Sequence, residues 1–279
     1  MDTHRHYKPL VRSTEDVENA EQMPSTPQTE APAYRLAFTD KDFMCREELR
    51  PVRLQLELLK PEMLLAESGI ESTVVLMGGA RIPEPGTDAW AAKNETQKKN
   101  LEANARYYEE AREFARIVSQ YSASTYNREF VIATGGGPGV MEAGNRGAAD
   151  VAAPNIAYNI VLPHEQAPNT YITPSLCFNF HYFAIRKMHF LLRAKAVAFF
   201  PGGFGTMDEL FETLCLIQTQ RMDPVPILLF GKDFWSKIID FEELARQGTI
   251  SPDDTKLFQY ADTAKEGWEI IADHYGLED

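Results

Sequence analysis

Phe130-Val131-Ile132-Ala133-Thr134-Gly135-Gly136-Gly137-Pro138-Gly139-Val140-Met141-Glu142-Ala143 is the stretch that decides the fold. Phe130–Ala133 is an apolar run of strand length, and Val140–Val151 reads as a helix. Between them, glycine fills four of five places. A strand that turns through glycines into a helix puts unpartnered helix N–H groups at the turn, where an anion fits. Glycine lets the main chain approach such an anion closely and take positive φ. The plain alternative, a tight strand–helix turn, needs only one or two glycines.

Working outward, the same texture repeats. Ser72–Met77, Ile156–Leu162, Ala196–Phe200 and Val225–Phe230 are further apolar runs without polar alternation, as expected of strands buried on both faces. Helical patterns fall between them at Asn94–Ser122, Tyr182–Arg193 and Glu209–Gln220, with more near Phe234–Gln247 and Ala264–His274. Alternation of this kind predicts an α/β fold: a Rossmann-like parallel sheet with helices on both faces.

A second glycine loop, Pro201-Gly202-Gly203-Phe204-Gly205-Thr206-Met207-Asp208-Glu209, follows the fourth run. Thr206 to Glu209 also matches a T-x-x-E capping box, which would only satisfy helix N–H groups. A cap does not require Gly202, Gly203 and Gly205, whereas a main chain wrapped around phosphate does. Two such loops at the carboxyl ends of parallel strands can share one crevice. Neither loop is a familiar nucleotide fingerprint. Starting G-x-G-x-x-G at Gly135 leaves Val140 in the third glycine slot, and the Walker A spacing leads to Asn145 and Arg146 in place of Lys and Ser/Thr.

Before the first strand the texture differs. Residues 1–41 are read as a flexible arm, because the segment up to Tyr34 is rich in Pro, Thr, Glu and Gln. Residues 42–68 read as a helical extension kinked or broken at Pro51, with a second short helix near Pro61–Ser68. Residues 69–279 form the α/β domain. MDTHRHYKPL lacks the apolar core of a secretory signal, and no run reaches the roughly 20 residues of a membrane helix, so a cytoplasmic chain is expected. Three scattered cysteines suggest neither a disulfide framework nor a zinc site. The six histidines show no metal-ligand spacing, and neither metal nor cofactor is expected. A net charge of −13 argues against long nucleic acid as a partner, though main-chain amides can still hold one small phosphate.

Gly135–Gly137 with its glycine-rich continuation, and Pro201–Glu209, resemble the two marks of the LOG (Lonely Guy) family of nucleotide phosphoribohydrolases. Phe180–Met188 is similar to the Arg-Lys segment that precedes the second mark in that family. The likeness in order and spacing runs across about Ser72–Gln220, and the overall length is that of the larger, type II-like branch. One departure is Met77-Gly78-Gly79-Ala80-Arg81, where relatives often carry a Gly-Ser step. Many relatives bear a lysine decarboxylase label, but no Schiff-base lysine context is evident here.

The resemblance implies an enzyme that cuts the bond between base and ribose in a nucleoside 5′-monophosphate, AMP-like or a cytokinin riboside monophosphate. It makes Arg186 and Glu209 the catalytic pair, and it implies a homo-oligomer. Gly135, Gly136, Gly137, Gly139, Gly202, Gly203, Gly205 and Thr206 are the expected phosphate-binding positions. The chemistry is consistent with these residue types, since N-glycoside cleavage builds positive charge on the ribose and negative charge on the leaving base. An exposed helix arginine in a salt bridge is the plain alternative for Arg186. Asp208 suits a helix N-terminus, Lys187 is second to Arg186 or solvated, and His181 reads as a packed histidine. Glu142 either faces the crevice or stabilises its helix start. Phe178, Phe180, Tyr182, Phe183 and Phe190 read mainly as core or subunit contact. The competing function is a nucleotide or cofactor carrier or sensor that uses the same loops without turnover.

Overall fold

The structure is a computed structural model that describes residues 11–163 and 167–277. The chain divides into two units, residues 1–56 and 57–279. In the first unit, α1 (Ser13–Glu21) buries no residue, and α2 (Lys41–Met44) is capped by the Asp40 carboxylate, which accepts from Asp42 and Phe43 N–H.

Helix α3 (Arg50–Glu67) is one continuous helix, which corrects the expected break at Pro51. Pro51 lies in the first turn, where the missing N–H has no partner to lose. Pro61 lies inside the helix and deprives the Glu57 carbonyl of its usual donor. His189 Nε2 takes that place at 3.1 Å.

The second unit holds a seven-stranded, all-parallel sheet in the order β4-β3-β2-β1-β5-β6-β7. Its elements run β1 (Thr73–Met77), α4 (Glu95–Asn104), α5 (Arg106–Ser124), β2 (Val131–Thr134), α6 (Val140–Ala149), β3 (Ile156–Ile160), β4 (Cys177–Phe180) and α7 (Phe183–Leu192). They continue β5 (Ala194–Phe199), α8 (Phe204–Gln218), β6 (Ile227–Phe230), α9 (Lys232–Ile238), α10 (Phe241–Arg246), β7 (Gln259–Ala261) and α11 (Ala264–Tyr275). The fold is the Rossmann-like α/β class expected. Val74 and Leu76 face a core shared with α5, α6 and α11, while Val75 and Met77 face one shared with α7 and α8. Both faces of the central strands are therefore covered, which explains their unbroken apolar runs.

β4 and β7, at the two edges, carry no such run and are absent from the sequence reading; their burial alternates or fades. The long helix expected over Asn94–Ser122 divides at Ala105, and that over Phe234–Gln247 divides before Asp240, which caps α10. Helix α8 begins at Phe204, five residues before the expected Glu209. No helix among the described residues is long and apolar enough to cross a membrane.

Candidate active site

Strand order brings the two glycine loops together. The first follows β2 and the second follows β5, and these strands flank β1 on either side. The chain leaves β1 through Gly78–Arg81, and this turn joins both loops. Gly79 N–H donates to Pro201 O at 2.9 Å, while Gly79 O accepts from Val140 N–H at 3.3 Å. The sheet reverses its direction of winding between β1 and β5, where open α/β sheets place ligands.

In the first loop, Gly136 has φ +76° with the Asn159 amide against its α-carbon, and Gly139 has φ +69° with a would-be Cβ 2.5 Å from Gly79 O. Neither position admits a side chain without strain. Gly136 N–H is already taken, donating to Thr134 Oγ1 at 3.0 Å. That amide is withdrawn from the expected anion-binding set. Gly137 and Gly139 N–H groups have no acceptor among the described residues. Gly139 is the N-cap of α6, and no side chain among the described residues caps that helix.

In the second loop, the capping-box reading of Thr206 and Glu209 is overturned. The N-cap is Gly203, Thr206 lies inside the first turn, and no side chain among the described residues caps α8. Phe204, Gly205 and Thr206 N–H groups have no acceptor among the described residues. The buried Thr206 side chain packs on the α-carbon of Gly202, where a Cβ would collide with it. Two uncapped helix N-termini with unspent amides thus flank one turn, an arrangement suited to an anion.

Arg186 and Glu209 meet between these loops. Arg186, on α7, is 9% exposed and donates from Nε to Tyr158 O at 2.7 Å. Its guanidinium carbon lies 5.0 Å from the Phe190 ring centre. A Cβ on Gly135 would stand 2.7 Å from Arg186 Nη2 and 2.8 Å from Met141 Sδ, so a larger residue there would push the ends of both side chains aside. Nη1 faces Glu209 Oε1 at 3.8 Å. Burial pushes the Glu209 carboxyl up to about 7, against the pull of Arg186 and with a further push from Asp208. Such a carboxyl exchanges its proton near neutrality, the range that suits acid–base work.

Outside this pair, Lys187 Nζ bridges Asp208 at 3.1 Å and Glu212 at 3.0 Å, tying α7 to α8 a second time. Asp208 therefore serves an ion pair; because α8 starts at Phe204, it lies beyond the first turn, which corrects its reading as a charge at a helix start. Glu142 accepts from Tyr108 OH at 2.9 Å. His181 is exposed, contrary to the packed reading, and the packed histidine is His189. Phe178, Phe180 and Phe190 are core, whereas Phe183 is exposed.

Several supporting residues escaped the sequence reading. Asn145 Oδ1 accepts from Thr134 Oγ1 at 2.7 Å and from Asn169 Nδ2 at 2.9 Å, and its Nδ2 donates to Asn155 Oδ1 at 2.8 Å. The Glu57 carboxylate accepts from His181 and Tyr182 N–H at 2.8 and 3.1 Å, supplying the cap that α7 lacks. Only the position of Asn145, on the helix directly after the glycines, offered a signal.

Residues 137–271 match a family model described as "Possible lysine decarboxylase". The match supports the LOG superfamily. No curated protein matches the chain significantly. Among solved structures, the chain is similar to the X-ray structure of TM1055, a structural genomics target, at 18% identity over 72% of this chain and 99% of that one, with TM-score 0.46. It is also similar to the molybdenum cofactor binding protein from the phototrophic bacterium Rippkaea orientalis, at 16% identity, 74% and 98% coverage and TM-score 0.43. The Moco carrier protein from Chlamydomonas reinhardtii gives 14% identity, 74% and 98% coverage and TM-score 0.45.

Proposed function

We propose that the protein hydrolyses the N-glycosidic bond of a nucleoside 5′-monophosphate, AMP-like in the first instance, to free base and ribose 5-phosphate. At the level of the superfamily, the family match favours a nucleotide-processing hydrolase. The observation that carries the finer reading is a buried carboxyl, raised to about 7, beside a buried guanidinium and between two uncapped helix N-termini.

The 5′-phosphate would lie on the free amides of Gly137, Gly139 and Phe204–Thr206, with the Thr206 hydroxyl. Its binding energy would fix the ribose against Glu209. The Glu209 carboxylate would orient a water molecule and stabilise the positive charge that grows at C1′. Water oxygen then bonds to C1′ as the C1′–N bond breaks, the bonding pair leaves with the base, and Arg186 stabilises that charge until the base is protonated. The proton lost by water passes to Glu209 and on to solvent. No metal or cofactor is needed for this balance. The reading includes a homo-oligomer, for which the exposed Phe183, Met188 and Leu192 on α7 offer an apolar contact; light scattering tests it.

The deciding experiment incubates the protein with AMP, other nucleoside monophosphates and an N6-prenylated adenosine monophosphate, each beside its nucleoside, and measures free base. Base is expected from monophosphates and not from nucleosides. Tight AMP binding with no base from any substrate would overturn the hydrolase and leave the carrier or sensor.

A further inference from the structure

Asn169 belongs to the chain between β3 and β4, well away in sequence from both glycine loops, yet most of its polar atoms are spent on the first of them. Its main-chain N–H donates to Gly136 O at 3.0 Å. Its side-chain Nδ2 stands 3.1 Å from Gly136 O, 3.2 Å from Gly137 O and 2.9 Å from Asn145 Oδ1. Its Oδ1 accepts from Tyr171 N–H at 3.2 Å, which fixes the direction in which the amide points.

The carbonyl groups so held belong to the part of the loop that would face an anion. A carbonyl oxygen turned toward phosphate repels it. In a planar trans peptide the C=O and the following N–H point opposite ways. Holding Gly136 O toward Asn169 therefore turns Gly137 N–H away from Asn169, and that amide has no acceptor among the described residues. Gly137 O heads the bond to Pro138, which has no N–H to offer, so turning this oxygen aside removes a repulsion at no loss of a donor. Gly136 N–H is meanwhile held on Thr134 Oγ1, whose own proton goes to Asn145. The Gly136 and Gly137 carbonyl oxygens, which would repel an anion, are thus engaged from behind, and the Gly136 N–H is spent inside the protein.

We propose that Asn169 is a positioning residue for phosphate: by taking the Gly136 and Gly137 carbonyl oxygens it aims the Gly137 amide at the ligand. This rests on the phosphate-binding half of the function proposed above, and not on turnover.

The test compares Asn169→Ala with Asn169→Asp. Aspartate preserves the shape but replaces a donor by a carboxylate facing three oxygen acceptors. A packing role ranks Asp above Ala, whereas the proposal ranks Asp below Ala. Calorimetric affinity for AMP and for inorganic phosphate is expected to fall at least about tenfold in Asn169→Ala and further in Asn169→Asp, with the AMP-to-adenosine affinity ratio collapsing. Binding of both anions within twofold of wild type, or the order Asp above Ala, would overturn the proposal. Should the variants fail to fold, the 15N-labelled wild-type protein decides: on adding AMP, the Gly137 amide resonance moves strongly and that of Gly136, tied to Thr134, moves little. An unmoved Gly137 under saturating AMP overturns it. Wild-type AMP binding without base release sinks the hydrolase but leaves this inference standing; base release with unaffected variants does the reverse. A wild type that binds neither anion removes both.

Discussion

Arg186 Nη1 and Glu209 Oε1 face each other at 3.8 Å across the gap between α7 and α8, too far apart for a direct hydrogen bond. Both side chains are largely removed from water, so the carboxylate loses solvation without gaining the full contact that would repay it. The result is an acid with two nearly balanced protonation states near neutral pH. A water molecule or a ribose hydroxyl fits the remaining role of partner better than the guanidinium alone.

The rate should therefore titrate with Glu209. The working form is the carboxylate, and its pKa lies at about 7, so kcat/KM is expected to rise through about pH 7 from the acid side and to fall about tenfold per unit below it. The substrate phosphate, with a second pKa of about 6, steepens the limb further down. A profile of AMP hydrolysis between pH 5 and 9 checks this. A limb centred near 4.5 would mean that burial does not govern the site.

Stability should move the opposite way. A carboxyl whose pKa is raised on folding gives its full stability below the unfolded value, and that contribution is lost as pH climbs through the folded value. The cost at pH 8 is on the order of 3 kcal/mol. Glu209→Gln is expected to melt higher than wild type at pH 8, with the difference fading by pH 5. The same variant should bind AMP within a few-fold of wild type and turn it over about 100-fold more slowly, or worse.

Gly136→Ala joins two faults in one substitution: φ is +76° and the new methyl group meets the Asn159 amide. The expected loss of stability is about 2 kcal/mol or more by denaturant unfolding, with KM for AMP raised far more than kcat is lowered. Asn159→Ala in the same chain opens the space but leaves the dihedral, so it should restore part of the stability and little of the affinity.

The sequence made the central strands and both glycine loops legible because each demanded something unusual: apolar runs without alternation, and more glycines than a turn needs. β4 and β7 stayed hidden because an edge strand pairs on one side only and leaves weaker marks. Helix α8 was started too late because Thr206 and Glu209 imitate a capping box, whereas the helix begins uncapped at Gly203. Arg186 and Glu209 were visible through their motifs, but their shared burial was not. Asn155 and Asn169 were invisible, and Asn145 showed only by its place after the glycines, since asparagines brought together from three separate segments leave no local pattern.

Lys187 provides the contrast to Arg186 one position away. Its partners Asp208 and Glu212 are 54% and 34% exposed, and surface pairs of this kind contribute about 0–1 kcal/mol. Lys187→Met is expected to leave kcat within about threefold. Because the lysine's charge also lowers the Glu209 pKa slightly, its removal should carry the acid limb to higher pH. A pH profile of the variant beside wild type reads both effects, and a limb displaced downward would contradict them.

Glu57 holds α7 from outside at two points. Its carboxylate accepts from His181 and Tyr182 N–H at the start of that helix, where no local side chain does so. Its carbonyl, freed by Pro61, receives His189 Nε2 further along. Arg186 lies between these anchors. An anionic cap on a helix N-terminus gives about 1–2 kcal/mol through hydrogen bonds and the helix dipole together. Glu57→Ala removes the carboxylate and leaves the main-chain anchor, so the helix should fray at its first turn and stay docked at its third. Stability is expected to fall by that amount, and kcat several-fold as Arg186 loses its fixed approach to Tyr158 O, with AMP affinity little changed. Glu57→Gln, which keeps an acceptor oxygen without the charge, should recover most of the turnover; if it behaves like alanine, the dipole and not the hydrogen bonds sets the position of α7.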